Sequence, residues 1–299
     1  VFNSREMAAA EIYSALADLQ FDQLVLETAG TPQTVALSVE IAGPRAQVAS
    51  IVPSSTSIAN ASVAVQNDWS AFQNTAALAH IDKLELAMQY ENHSMVKEMS
   101  WKSAQAGINA KYVNVGVSFS YFGYSLYNEM IAGIGLARNF SDKFSMGLQF
   151  NYYSAYFSGG EENRYRSALL PQMGISSRLF PNFTVGFHAF NPFQTNIKTD
   201  LTEKRIPSIY SIGTNYEFAK NLAWLTQIDK EVSSNYRLAT GFEYTMLQQL
   251  TVKLGAYRMD YLVPCFGVGL HLGQLHFDLS GELHPQLGLN TMARMKYRF

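Results

Sequence analysis

Three residues near the C-terminal end of the chain have side chains of the types used in nucleophilic catalysis. His276, Asp278 and Ser280 are spaced two apart, so on a β-strand they would share one face. In a hydrolase triad the histidine contacts both the nucleophile and the acid. Here Asp278 stands between the other two, which leaves the histidine at one end of the row. We therefore interpret the three residues as the polar lining of a strand face and predict no catalytic residues.

Signatures of other chemistry are missing from the sequence. It contains no G-x-S-x-G, P-loop or H-E-x-x-H motif. The single Cys265 excludes an intramolecular disulfide framework and a cysteine-rich zinc site. A net charge of −2, without a Lys/Arg run, argues against a nucleic-acid partner. We expect a protein that is not an enzyme and holds no cofactor or metal.

From residue 83 onward, apolar and polar residues alternate in segments about ten residues long. Clear examples are residues 113–121, 144–152 and 275–283. In the last of these, Leu275, Phe277 and Leu279 alternate with His276 and Asp278. A period of two indicates strands with two unlike faces. The alternative is a soluble sandwich or propeller, in which the apolar phase would form the core.

Composition favours a membrane barrel over the soluble alternative. Charged residues make up 15% of the chain, against about 25% in typical soluble domains. The polar phase is mostly Gly, Ser, Asn and Gln, which suits a crowded or water-filled interior. No stretch approaches the roughly 18 apolar residues of a transmembrane helix, so a membrane-spanning chain must form a closed barrel. We predict an all-β, transmembrane antiparallel β-barrel in the bacterial outer membrane, surrounded by lipid.

The alternating segments predict about fourteen strands, the even number expected of a bacterial barrel. Residues 83–299 would form this barrel domain. Short links, such as residues 141–142 and 273–274, would lie on one rim, and longer links, such as 159–163 and 191–205, on the other. The predicted strands are 83–91, 95–112, 113–124, 127–139, 142–157, 164–180, 181–191, 205–219, 221–231, 235–246, 248–259, 261–273, 275–284 and 288–299.

Charges of both signs fall on the polar phase of the predicted strands. Mixed charges fit an interior in which they pair, because burying an unpaired charge is costly. An open ion channel more often carries rings of one sign. We predict a narrow or occluded lumen in which Arg294, Lys296 and Arg298 pair with Glu282 and Asp278. The lumen charges singled out are Lys253, Asp278, Glu282, Arg294, Lys296 and Arg298.

The two ends of the chain differ in character. The last predicted strand carries Tyr297 and Phe299 on its apolar phase, which resembles the C-terminal signal read by the outer-membrane assembly machinery. Residues 1–82 are mixed, and we expect them to form a plug or periplasmic segment. Within them, residues 4–20 are rich in Ala, Leu and Glu and predict a short helix with Ser4 as its N-cap.

Residues 59–79 resemble the segment before the first barrel strand in the PorV/PorQ-like branch of the FadL superfamily. A run of small residues is followed by an Asp, an aromatic residue, an Asn-containing tripeptide and a small-residue helix. Residues 119–128 and the terminal Phe also fit, so the resemblance covers about residues 55–299. Asn74-Thr75-Ala76 replaces the usual Asn-Pro-Ala, and residues 1–50 lie outside the resemblance. The signature residues are Asn60, Asp68, Trp69, Phe72 and Asn74.

The resemblance implies a fourteen-stranded barrel whose N-terminal segment folds inward as a plug. Members of this branch are typical of Bacteroidota, where some serve protein secretion, including type IX secretion. Physically, Asp68 and Asn74 suit turn and N-cap positions. Trp69 and Phe72 would pack against the first strands.

Three functions remain open at this stage. The first is a non-enzymatic partner subunit of an outer-membrane export, assembly or uptake complex, in contact with outer-membrane or periplasmic proteins. The second is a FadL-like transporter of hydrophobic small molecules, which needs an apolar pocket and a lateral opening. The third, a membrane lipid hydrolase, is disfavoured by the triad order. For the transporter, the lateral opening would be marked by prolines that interrupt or flank strands. These are Pro171, Pro192, Pro207 and Pro264.

Overall fold

Fourteen antiparallel strands close into a barrel. The computed structural model describes residues 56–66, 68–69, 71, 73–93, 100–124, 127–157, 164–198, 203–285 and 288–299. Each barrel strand pairs with the next in sequence, and the first closes on the last. The barrel strands are β1 (Leu84–Asn92), β2 (Ser100–Ala110), β3 (Val113–Gly123), β4 (Tyr127–Ser141), β5 (Phe144–Phe157), β6 (Arg164–Phe180), β7 (Phe183–Phe190), β10 (Ile209–Ala219), β11 (Leu222–Glu231), β12 (Tyr236–Met246), β13 (Leu250–Arg258), β14 (Leu262–Leu272), β15 (Leu275–His284) and β16 (Gly288–Arg298).

The predicted fold class and strand number are confirmed. One segment differs from the prediction, and the start of another is not tested. The second strand is described only from Ser100, since residues 94–99 lie outside the described part of the chain. Residues 191–205, predicted as a loop, contain a separate hairpin of β8 (Asn196–Lys198) and β9 (Glu203–Arg205). Strands of three residues are too short to display an alternating pattern, so periodicity could not reveal them.

The barrel exposes apolar side chains on its outside and buries polar side chains inside, which is the reverse of a soluble protein. Leu148 and Phe150 on β5 are 47% and 56% exposed, whereas Gln149 and Asn151 between them are buried. Covering such apolar surface requires hydrocarbon, so the strands span a membrane. No helix in the described ranges is long and apolar enough to cross one. The outward apolar face therefore supports the prediction of a transmembrane barrel.

The two rims of the barrel differ in the length of their connections. Short turns join β2 to β3, β4 to β5 and four later strand pairs on the rim that also holds the start of β1 and the end of β16. In bacterial barrels the short turns face the periplasm. Longer connections, such as residues 191–208 between β7 and β10, lie on the opposite rim. We accordingly call these two rims periplasmic and extracellular.

The described part of the chain before β1 lies inside the barrel. We call the described residues between 56 and 82 the plug. It contains two short 3-10 helices, Thr56–Ile58 and Thr75–His80, and it buries Trp69 and Leu78 almost completely. The first helix packs against β12–β15 and the second against β3–β6. The helix predicted at residues 4–20 lies outside the described residues.

The plug approaches the wall so closely that the facing positions are glycines. A Cβ atom added to Gly116 would lie 2.8 Å from the Trp69 ring, and one added to Gly241 would lie 2.9 Å from Cβ of Ile58. Ten such glycines, one on each of ten strands, face the plug, and we call them the glycine belt. They are Gly107, Gly116, Gly135, Gly147, Gly174, Gly186, Gly213, Gly241, Gly255 and Gly267.

Enlarging one member of the glycine belt tests this packing. We expect Gly116→Val to lower the free energy of unfolding by about 1–3 kcal/mol, because the added atoms overlap the buried Trp69 ring. Urea unfolding of the barrel in lipid vesicles measures this quantity. The matched control is Gly281→Val on the outward phase, where a Cβ would lie 3.0 Å from the end of the Phe266 ring and 3.3 Å from the carbonyl oxygen of Asn290, away from the plug. Equal losses in the two variants would contradict the role assigned to the belt.

Candidate functional site

Asp68 connects the plug to the last strand of the barrel. Its carboxylate accepts a hydrogen bond from Arg294 Nη1 at 2.9 Å and forms a second ion pair with Lys296. The second guanidinium nitrogen, Nη2, of Arg294 donates to the carbonyl oxygen of Trp69 at 3.0 Å. Two cations on β16 thus hold the plug at the point where the chain passes from Asp68 to Trp69.

The protonation of Asp68 follows from these neighbours. Burial by itself would raise the pKa of its carboxyl, but the charges of Arg294, Lys296 and Lys253 outweigh burial and hold the pKa well below its usual value. Because the folded pKa is depressed, the stabilisation is present above the ordinary pKa of about 3.9. It is lost only as the pH falls through the lower folded pKa, so the contact remains charged around neutrality.

The same basic strand also bonds the first strand of the barrel. Glu85 on β1 pairs with Lys296 at 3.3 Å and with Nε of Arg298 at 2.9 Å. Since β1 and β16 are the strands that close the barrel, these ion pairs lie along the closing seam. Lys296 contacts both Glu85 and Asp68, so one side chain joins the first strand, the last strand and the plug.

The pairing predicted for the lumen charges was wrong for Arg294 and Lys296. Their ion pairs are with Asp68 and Glu85, neither of which was predicted as their partner. Asp278 lies opposite Arg294 in the strand register but pairs with Lys253 at 2.7 Å. Glu282 accepts a hydrogen bond from Asn290 at 2.7 Å. The closer plug carboxylate displaces the cross-strand partners that register alone would select.

Asn74 caps the second 3-10 helix of the plug. Its side-chain oxygen accepts from the backbone N–H of Ala76 at 3.0 Å, as an N-cap does. Its amide nitrogen donates to the carbonyl oxygens of Val63 at 2.5 Å and of Ile175, on β6, at 3.1 Å. One side chain therefore starts the helix, joins two parts of the plug and attaches them to the wall.

The other signature residues also hold the plug in shape. Asn60 has a left-handed backbone, with φ of 58°, and its side-chain oxygen accepts from Gln73 at 2.7 Å. Asparagine tolerates this conformation better than most residues. Trp69 lies against Gly107 and Gly116 on β2 and β3. Phe72 lies outside the described residues.

Asn and Gln side chains of the wall bind the plug backbone. In the sequence they are recognisable only as part of the polar phase of the strands. Gln105 accepts from the N–H of Ala71 at 3.0 Å and donates to the carbonyl of Trp69 at 2.8 Å. Gln227 accepts from Val63 N–H at 2.9 Å. Such bonds satisfy backbone groups that burial has removed from water. Further wall side chains that donate to plug carbonyls are Asn114, Asn139, Gln172 and Arg237.

The row of His276, Asp278 and Ser280 lines the lumen, as its alternation indicated. The His276 ring packs edge-on against His271, 4.6 Å away on β14, and Asp278 is held by Lys253. No group of three or more His, Cys, Asp or Glu suited to a metal occurs in the described part of the chain. Tyr297 and Phe299 pack against each other at 4.6 Å on the outer face of the periplasmic rim.

The plug separates two parts of the lumen with different chemistry. On the periplasmic side a cavity of about 460 Å³ is lined by Gln66 and Asp68 of the plug and by charged wall residues such as Arg178, Glu243 and Lys253. This cavity suits water and polar groups. Nearer the extracellular rim, an apolar cluster extends from Trp69 of the plug to buried wall residues, including Tyr153, Leu170, Phe190 and Ile209.

This apolar cluster reaches a gap in the strand pairing of the wall. β6 pairs with β5 from Arg164 onward but with β7 only from Gln172, opposite Phe190. β10 begins at the same level, with Ile209 opposite Phe190. Eight residues of β6, 164–171, therefore have no β7 partner. The described residues between 191 and 208, which we call the gap segment, follow β7 here and bury Ile197 and Ile206 in the apolar cluster.

Asn191 holds the gap segment closed. It is fully buried, with φ of 48°, and its N–H donates to the carbonyl of Pro171 on β6 at 2.9 Å. Its side chain donates to Ile206 O at 3.1 Å and accepts from Thr195 N–H at 3.0 Å. Of the four prolines predicted to mark a lateral opening, three adjoin this gap, namely Pro171, Pro192 and Pro207. Pro264 instead lies within β14, opposite Ala256.

Known structures with similar folds are outer-membrane channels. The monoaromatic hydrocarbon channel CymD superposes with a TM-score of 0.61 at 11% identity, covering 83% of this chain and 97% of CymD. The toluene transporter TodX of P. putida gives 0.60 at 10%, covering 76% and 93%. A FadL homologue of Pseudomonas aeruginosa gives 0.57 at 13%, covering 83% and 98%. The chain therefore has the FadL-like barrel fold, and the predicted outer-membrane location is confirmed.

Sequence comparison adds a short match of another kind. A 48-residue stretch is 65% identical to galactitol 1-phosphate 5-dehydrogenase of Escherichia coli (strain K12), covering 16% of this chain and 14% of that enzyme. The chain thus spans about one seventh of this curated relative, less than a typical domain. No family model matches the chain.

Neutralising Asp68 tests the connection between plug and wall. In Asp68→Asn, Arg294 loses its carboxylate and Lys296 loses one of its two, while both cations stay buried, which costs about 3 kcal/mol. We expect the amides around Trp69 to exchange with deuterium about a hundredfold faster. Hydrogen–deuterium exchange of the folded barrel measures this rate. Asp82→Asn, at an exposed plug position, is the control, and equal exchange in both variants would count against the connection.

Proposed function

We propose that this barrel admits hydrophobic small molecules through the outer membrane and releases them sideways beyond the end of β7, between the unpaired part of β6 and the gap segment. The observation that carries this proposal is the continuity of the apolar cluster, which runs from the plug to the gap segment. Leu170 and Phe190 lie where β6 and β7 part. A ligand in the cluster therefore adjoins both the extracellular half of the lumen and the only eight-residue interruption seen in the described wall pairing.

The two parts of the lumen favour this route for an apolar solute. Passage inward would take the solute past the plug into the periplasmic cavity, which is lined by the charged side chains of Asp68, Lys253 and Arg178. Each CH₂ group that stays in apolar surroundings is stabilised by about 0.8 kcal/mol relative to water. A lateral exit at the unpaired part of β6 delivers the solute directly to the membrane.

The gap segment suits a movable closure. Backbone groups left unpaired in hydrocarbon are costly, so the edge of β6 must be covered when no ligand passes. Pro171 has no N–H, which leaves one donor fewer to cover. The N–H of Asn191 satisfies the carbonyl of Pro171, and Ile197 and Ile206 are buried in the apolar cluster beside it. The fold is similar to those of CymD, a monoaromatic hydrocarbon channel, and TodX, a toluene transporter, which supports this proposal.

A polar substitution in the route tests transport. We expect Leu170→Gln to reduce the uptake of radiolabelled toluene by bacterial cells that carry the barrel about tenfold, since an apolar solute must then pass an amide that prefers water. The matched control is Leu225→Gln, at another buried leucine, which packs against Ile58 and Ala61 instead. Both variants must show wild-type folding on heat-modifiable gels. The proposal would be refuted if cells with the wild-type barrel took up no more toluene than cells without it. Equal losses of uptake in the two variants would also refute it.

A second proposal is that the barrel is a partner subunit of an outer-membrane export or assembly complex of the PorV/PorQ-like type. It is supported by the resemblance of residues 59–79 to that branch and by the attachment of the plug. Asn74, Gln105 and Asp68 bond plug and wall from three directions. A plug held so firmly suits a wall that presents its rims to other proteins.

Affinity purification from gently solubilised native membranes distinguishes the two proposals. A partner subunit would bring a second protein in a fixed ratio, which would survive a mild detergent and be lost in a denaturing one. An unrelated tagged barrel from the same membranes is the control for nonspecific capture. Recovery of a monodisperse monomer would contradict the partner role and leave the transport proposal standing.

A further inference from the structure

In the part of the barrel that the structure describes, the outward-facing charges are all of one sign. In the described barrel strands, the carboxylates fall on the lumen-facing phase, from Glu85 on β1 to Glu282 on β15. A charge facing lipid is costly unless it lies near the interface or finds a counterion. The outward phase carries only basic residues, and three of the four lie toward the extracellular rim: Lys102, Lys230 and Arg258, with Arg138 near the periplasmic rim.

Lys102 differs from Lys230 in its surroundings. Lys230 donates to the carbonyl of Ser234 and lies over the Tyr236 ring. Lys102 is exposed, third from the extracellular end of β2, and has no carboxylate partner within the described chain. In the strand register it lies between Tyr90 and Tyr121. Tyrosines at a barrel exterior mark the headgroup level of the membrane, so the Lys102 ammonium is placed at that level.

An apolar groove of about 680 Å³ begins beside Lys102 on the outer surface. It crosses the closing seam, where Ala104 on β2 and Ala293 on β16 are flanked by the larger Met88 and Leu279. Its volume falls in the range of small-molecule sites, about 300–1,000 Å³. Because it opens to the hydrocarbon of the membrane, its occupant must be apolar along its length, with any charged group at the Lys102 end.

We propose that this groove binds an acyl chain of a phosphate-bearing lipid of the extracellular leaflet, with the phosphate on Lys102. Charge complementarity selects this occupant, since the groove ends at an unpaired cation held at headgroup level. The attraction between anionic headgroups and a lysine near the membrane surface contributes about 1 kcal/mol to the binding free energy. The site lies on the opposite side of the wall from the lumen and is independent of the proposed transport route.

Binding to purified barrel in detergent tests the site. The probes are bis-phosphorylated lipid A, the same lipid after removal of its phosphates, and phosphatidylethanolamine, with bound lipid counted by native mass spectrometry. We expect the phosphorylated lipid A to bind about fivefold more tightly than its dephosphorylated form, the ratio that 1 kcal/mol corresponds to. Lys102→Gln should remove this preference. Ala104→Phe, which fills the groove, should weaken binding of both forms of lipid A.

Matched controls separate the site from general lipid contact. Arg258→Gln removes an exposed outward cation on β13, and Ala256→Phe enlarges an outward alanine on the same strand. Both should bind as the wild type does. Retention of the preference in Lys102→Gln, equal binding of the dephosphorylated lipid by the wild type, or equal effects of the two phenylalanine variants would overturn the proposal. So would tighter binding of phosphatidylethanolamine than of phosphorylated lipid A.

Discussion

The close approach of the plug to the barrel wall is the contact on which the rest of the structure depends. Trp69 lies where Gly116 leaves space, and Ile58 lies where Gly241 does. At these distances a side chain on the wall would have to displace the plug backbone or a buried ring. The glycine belt thus defines the path of the plug inside ten of the fourteen strands, and the remaining inward positions become available for polar contacts.

Those polar contacts account for the unusual interior. The plug crosses the lumen largely without regular secondary structure, so its N–H and C=O groups need partners other than each other. Gln105, Gln227 and Asn114 supply them from the wall. Ion pairs provide the strongest attachment, where Lys296 contacts both Asp68 and Glu85. Closure of the barrel and docking of the plug therefore share the same cations, and loss of one would affect both.

The wall is less uniform than its closed topology implies. β7 has eight residues beside the seventeen of β6, and the gap segment covers the difference with buried isoleucines and the hydrogen bonds of Asn191. A closure made of side chains and a few bonds is easier to open than a strand ladder, in which each residue contributes backbone hydrogen bonds. The barrel thus combines a firmly attached plug with one region of the wall that is weakly paired, and the proposed functions differ in which of these two features acts.

The sequence by itself determined the barrel, because period-two alternation is local and each segment displays it independently. Fourteen strands, the outward apolar faces and the polar lining of His276 and Asp278 all followed from it. Tertiary structure alone decided which charges meet. Strand register favoured Asp278 for Arg294, but Asp68, 226 positions earlier in the chain, lies closer. Tertiary structure also decided the role of the glycines, because the sequence pattern does not distinguish a lumen glycine that faces water from one that faces the plug. Contacts between distant segments depend on how the chain folds back into its own lumen, and no local pattern records that path.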